Sequence, residues 1–357
     1  MPFRTGYDAK LVERCNDTFA AVAENEGTVT EVNDYAITVT YKDGSTRQVE
    51  VGRKYGKSGG FMTSHDVITK LKVGDKLQKG DIIAYNKDFF TEDPMNPGKI
   101  AMKTATLARV ALIEHPYTFE DSCAVAKRIA EDTKVKTTVQ KMVTVNFNQS
   151  IHKLAKPGTK VNIDDPLCFI EDSLTHDAGL FDENSINLLR NISQQAPRSA
   201  VNGIIDKVEI LYNGDKEDMS ESLLKLVNIS DSKLIALNKS LGKKPMTGEV
   251  DETYRVDGNP LQLDTAVIIF TISGEQNIGV GDKLVLANQL KNTIGFVYEQ
   301  SPRIMSKDGG FGEEIDMLFG SNSVYNRIVN SPFLIGMMNT LLIEVSKKLA
   351  TEYLEGV

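Results

Sequence analysis

Tyr117-Thr118-Phe119-Glu120-Asp121-Ser122 stands at the head of a run in which Cys123, Ala126, Ile129 and Ala130 fall at helical spacing. That spacing predicts a short helix over 119–132. Glu120 and Asp121 would occupy its first turn, where each carboxylate favours the helix dipole by about 0.3–1 kcal/mol. Acidic residues in that position are ordinarily structural. How these six residues are read decides the fold, because the elements around them are mostly β.

Upstream, Gly27–Val32 and Tyr35–Tyr41 alternate β-branched and polar residues, with Asn33-Asp34 between them, so a hairpin is expected. Lys42-Asp43-Gly44-Ser45 makes the next turn, since Asp-Gly favours positive φ. Val73-Gly74-Asp75-Lys76-Leu77 and Lys79-Gly80-Asp81-Ile82-Ile83 place two Gly-Asp turns six residues apart, each before an apolar strand. Lys156-Pro157-Gly158-Thr159-Lys160-Val161 is related. Such turns suit a compact barrel or sandwich and carry no chemistry by themselves.

Downstream, a brief helix is expected from Ile186 toward Pro197. A longer one spans Ser220 to Leu241, with Ser230-Asp231-Ser232 as a possible break. Thr265 to Ile272 reads as a buried strand, and Ile294–Tyr298 and Ile315–Phe319 as further strands. Pro332 opens a last helix with Ser331 as its cap. Leu334, Met337, Met338, Leu341, Val345 and Leu349 form its apolar stripe.

The chain has 357 residues, 41% hydrophobic and 25% charged, an ordinary globular mix. No stretch approaches the roughly 20 apolar residues of a membrane span, and Met1 to Lys10 lacks the apolar core of a signal peptide. No membrane contact and a non-secreted protein are therefore expected. The three cysteines and four histidines are scattered, which argues against a disulfide framework or a zinc site. A net charge of −8 argues against coating nucleic acid through bulk charge, though not against a few placed cations.

No self-sufficient active site is visible. Gly52 to Ser58 ends in Gly56-Lys57-Ser58 but is one residue too short for a phosphate-cradling loop. No clustered aspartates could hold a metal pair. What remains is cations near tight turns: Lys283 after Gly281-Asp282, Lys291 within Asn288-Gln289-Leu290-Lys291-Asn292, and Arg327 after Gly320-Ser321-Asn322-Ser323. Each alone is ordinarily a solvated surface cation. Held at strand ends around one phosphate, such charges stabilise a transition state where water is excluded.

Tyr117-Thr118-Phe119-Glu120-Asp121-Ser122 resembles the Tyr-Asn-Phe-Glu-Asp-Ser motif of the β subunit of multisubunit DNA-dependent RNA polymerases. Gly281-Asp282-Lys283 resembles that family's Gly-Asp-Lys motif. Gln289-Leu290-Lys291-Asn292 falls where the family has a Gly-Asn-Lys-Gly loop, keeping the lysine and losing both glycines. Asp316 and Arg327 have the spacing of a later Asp and Arg, although Asn326-Arg327-Ile328 keeps only the arginine. Gly-Asp-Lys alone is weak, since residues 74–76 repeat it; the ordered set is specific.

The resemblance implies a mainly β fold with some helices (α+β), containing a double-psi β-barrel. It divides the chain into a β-rich sandwich-like region at 1–115 and barrel segments at 116–134 and 265–330. A wall or flap insertion falls at 135–264, and a C-terminal helix at 331–357. It implies the later part of a split β subunit, of the kind found in giant bacteriophages. Such a protein would act in the infected bacterial cytoplasm or travel packaged in the virion.

The implied activity is nucleotidyl transfer, completed by other chains. A β′-like partner would hold Mg²⁺ on its aspartates, and another chain would supply the earlier part of β. DNA template, RNA transcript and nucleoside triphosphates would be bound, with a specificity factor as a further partner. Lys283 and Lys291 would contact the RNA 3′ end or the incoming nucleotide, Arg327 its triphosphate. Asp121, with Glu120 beside it, would lie near a second Mg²⁺. The alternative is a β-rich virion structural or assembly protein with no catalytic role.

Overall fold

Ser122-Cys123-Ala124-Val125-Ala126 is small-sided, and Cys123 through Ala126 are buried. In the computed structural model it forms a strand, Ser122–Ala126, and only Lys127–Asp132 is helical. This corrects the helix expected over 119–132. A short apolar run fits either element by pattern alone. Here the strand wins because its backbone is claimed on both sides by neighbouring strands.

The structure describes residues 6–93, 96–172, 195–287, 289–299, 314–327 and 330–355. They form two compact units, and the chain is mainly β with some helices. The first unit comprises Met1–Lys10, Met102–Val135 and Gln276–Val357, the second Leu11–Ala101 and Lys136–Glu275.

In the first unit a five-stranded sheet has the order Val110–Leu112, Met317–Phe319, Ser122–Ala126, Leu290–Tyr298, Lys283–Leu286. Strand 110–112 runs parallel to 317–319, and 122–126 parallel to 290–298; the other two pairings are antiparallel. Each parallel pair thus joins an early segment to a late one. Beneath lie Cys123, Val125, Ile129, Leu290, Ile294 and Phe319. Burying a large apolar side chain of this kind contributes about 1.5–3 kcal/mol.

The last helix, Ser331–Glu355, starts at Ser331 itself, with Pro332 in its first turn. Phe333 packs on the core just described. The predicted stripe, however, is exposed: Leu334, Met337, Met338, Leu341, Val345 and Leu349 all lie open.

The second unit is built on an eight-stranded sheet. Its order is Ala20–Val22, Ile82–Asn86, Phe61–Ile68, Val135–Asn146, Thr265–Gln276, Gly203–Asn213, Lys160–Val161, with Gly52–Ser58 also on Phe61–Ile68. A separate four-stranded sheet contains the expected hairpin, Gly27–Val32 with Ala36–Tyr41. The sequence division kept 1–115 and 135–264 apart. One continuous sheet instead runs through 11–101 and 136–275, so these segments share a unit.

The helix Glu221–Ser240 is capped by Ser220, whose Oγ accepts the Leu223 N–H at 3.3 Å. It is unbroken at 230–232. Ser230 Oγ accepts the Ile210 N–H, and the Asp231 carboxylate accepts from Gly248 N–H, Tyr212 hydroxyl and Lys216. Tertiary hydrogen bonds thus satisfy polar groups that would otherwise favour a break. The helix expected from Ile186 toward Pro197 falls largely on 173–194, outside the described residues. Gly52–Ser58 is a plain strand. Among the described residues no helix is long and apolar enough to cross a membrane.

Candidate functional site

The turn Gly279-Val280-Gly281-Asp282 opens the site. Gly281 has φ +97°, a left-handed conformation that glycine adopts at no steric cost. The Asp282 carboxylate accepts the Gly279 N–H at 2.8 Å. Asp75 and Asp81 close the turns at 72–75 and 78–81 in the same way, on the N–H of Lys72 and Gln78. Glycine and aspartate in this motif are therefore occupied with the turn. What distinguishes the third turn is the strand it launches.

Lys283 begins that strand and pairs with Thr293 across the antiparallel ladder, while Val285 pairs with Lys291. Directly opposed residues share a face. Lys283, Val285 and Lys291 are exposed, whereas Leu290, Asn292 and Ile294 are buried. The two lysines are diagonal neighbours, with backbones about 7–8 Å apart. Among the described residues neither has an ion-pair partner.

On its other side Thr293 lies beside Ser122, and its N–H donates to the Asp121 carbonyl at 2.8 Å. The Asp121 carboxylate accepts from Arg327 Nη2 at 2.6 Å. Arg327 follows the short helix Ser321–Tyr325. Glu114 Oε1 accepts from the Ser321 hydroxyl and the Asn322 N–H, each at 2.8 Å, and these bonds hold its carboxyl below the usual range. Lys283, Lys291, Asp121 and Arg327, far apart in sequence, are thus gathered at one end of one sheet.

Glu120 has φ +51° and sits in a tight turn before the strand, not in a helix's first turn. The dipole account of Glu120 and Asp121 therefore does not apply. Asp316, noted in sequence only for its spacing, is buried. It accepts the Arg109 N–H at 2.8 Å and pairs with Arg128 at 2.6 Å, tying strand 317–319 to the helix 127–132.

Sequence reading missed an aromatic pair at this end of the sheet. Tyr117 stacks on Phe296 with ring centroids 4.4 Å apart and planes 12° from parallel. Nothing local links them; a bulge between Cys123 and Ala124 in the 122–126/290–298 pairing brings Phe296 beside Ala124.

Among the described residues no three Asp, Glu, His or Cys side chains converge to hold a metal ion. Asp121 is one exposed carboxylate already engaged by Arg327, so this donor set does not build a Mg²⁺ site by itself. Comparison with known proteins gives no match to a family model or to a curated protein.

Proposed function

We propose that this chain is the active-site part of a β-like subunit of a multisubunit DNA-dependent RNA polymerase, with the five-stranded sheet belonging to a double-psi β-barrel. The observation that carries the reading is the convergence of Lys283, Lys291, Asp121 and Arg327 on one sheet end. The paired parallel strands support the barrel, since each parallel pair brackets the antiparallel contact between 122–126 and 317–319.

Lys283 and Lys291 act as compact point charges on phosphates of the RNA end or the incoming nucleotide. Arg327 presents a fork that can bind two phosphate oxygens, and Asp121 holds that fork in place until substrate arrives. A β′-like partner chain would hold Mg²⁺ on its aspartates, and the ion would supply charge stabilisation for the transfer of the nucleotidyl group. The chain works beside template DNA and transcript, with a specificity factor, in an infected bacterium or a virion.

The test is template-dependent RNA synthesis by the complex that co-purifies with this chain. Lys291→Ala should lower the rate by about 10²–10³, the usual effect of removing one such contact. A wild-type rate in the variant complex would overturn the assignment. A complex without an aspartate-bearing partner and without RNA synthesis would point to the virion structural reading.

A further inference from the structure

The Tyr117–Phe296 stack shares its side of the sheet with the lysines. Phe296 aligns with Ala124, Ala124 lies two residues from Ser122, and Ser122 aligns with Thr293, the partner of Lys283. The loop holds Tyr117 firmly. Its carbonyl accepts the Ser122 hydroxyl at 2.9 Å, and the Thr118 side chain beside it is buried. His115 leans on Tyr117 with centroids 5.2 Å apart. Gly295 permits the approach, because a Cβ there would collide with Ser122 Oγ.

These rings are nevertheless not covered. Tyr117 is 43% exposed, Phe296 38% and Phe119 of the same loop 69%. A rigid, solvent-facing stack beside two lysines that have no ion-pair partner among the described residues is the combination that binds single-stranded nucleic acid. Phosphates are met by cations and a base by an aromatic face. Lys291 to Phe296 spans about 16 Å of strand at ~3.3 Å per residue, the length of a short run of nucleotides.

We infer that Tyr117 and Phe296 form a stacking platform for one nucleobase of the strand whose phosphates Lys283 and Lys291 hold. The inference rests on the proposed function only for which strand that is. The platform itself is a property of this chain.

The full chain, at low salt, is titrated with uridine and thymidine single strands of about six nucleotides and with an abasic strand of the same length. The base-bearing strands should bind tighter than the abasic one. Phe296→Leu and Tyr117→Leu should each erase that preference, weakening the base-bearing strands by about tenfold, within the 1–3 kcal/mol of a base–aromatic stack. Phe296→Tyr should keep it. Lys291→Ala should weaken all three strands alike and lower the salt slope by about one. A uridine-over-thymidine preference assigns the platform to RNA, the reverse to DNA, and either upholds it.

A wild-type chain that does not bind, or that shows the same preference as a natively folded Phe296→Leu variant, overturns the inference. So does protection of the rings by a partner protein chain without base dependence. RNA synthesis by the complex is scored separately. Base-dependent binding without synthesis would sink the polymerase reading and leave the platform; synthesis without base dependence would do the opposite.

Discussion

Asp121 and Arg327 hold one another at 2.6 Å, with Asp121 61% and Arg327 34% exposed. A pair this open to water is worth about 0–1 kcal/mol. Arg327 can therefore leave it for a triphosphate at little cost, which a buried pair would forbid. Cys123 shows the opposite extreme. Its Sγ donates to Asn292 Oδ1 at 2.8 Å, and burial pushes the thiol up to about 12; Cys168 is pushed up to about 11. A thiol pushed this far up stays protonated at pH 8, and the thiolate is the reactive form. Iodoacetamide at that pH should therefore label only Cys15 in the native chain, and all three cysteines after denaturation. Labelling of Cys123 before unfolding would show that the sheet around it opens. The placement of Lys283 after a tight turn and of Lys291 in a polar break was legible in sequence. Tyr117 with Phe296 was not, since nothing local links the two positions.

At the scale of elements, the 122–126 strand shows where pattern reading stops. A four-residue apolar run has no periodicity to distinguish strand from helix, and neighbours nearly 200 residues away decide it. The turn at Glu120 is a consequence: the chain must enter the strand through a left-handed residue. A side chain there is strained by roughly 1–2 kcal/mol. Glu120→Gly should keep or slightly raise the denaturant midpoint, while Glu120→Val should lower it by an amount equivalent to about 1–2 kcal/mol. Equal midpoints for the two variants would mean that this residue does not hold the left-handed conformation in solution. The last helix makes the complementary point. Its 3.6-residue stripe correctly announced a helix, but periodicity says only that a face is apolar, not that this chain covers it.

At the scale of the molecule, the second unit depends on charges that local sequence could not reveal, because they come from four separate strands and a turn. Arg53 binds both Asp66 oxygens, at 2.6 and 3.0 Å, and reaches Asp206 at 2.6 Å. Lys136 bridges Asp66 and Asp88, and Tyr55 and Ser273 donate to Asp206. Asp66 is 4% exposed, and its bonds to Arg53 and then Lys136 hold its carboxyl far below the usual range against the opposing effect of burial. Because the folded value is depressed, the stabilisation is complete above the unfolded value of about 3.9. It fades as pH falls below that value toward the folded one. Asp66→Ala takes one of two carboxylate partners from each cation, leaving Arg53 on Asp206 and Lys136 on Asp88. Leaving a buried charge uncompensated costs about 3–5 kcal/mol; the loss here is smaller, roughly 1–3 kcal/mol, because both cations keep a second carboxylate and stay partly in water. Denaturant unfolding from pH 7 to pH 2 should therefore show a wide stability gap between wild type and variant at neutrality. The gap should narrow below about pH 4 as the wild type loses what the variant never had. A gap of constant width across that range would mean the network contributes through packing rather than through the charge on Asp66.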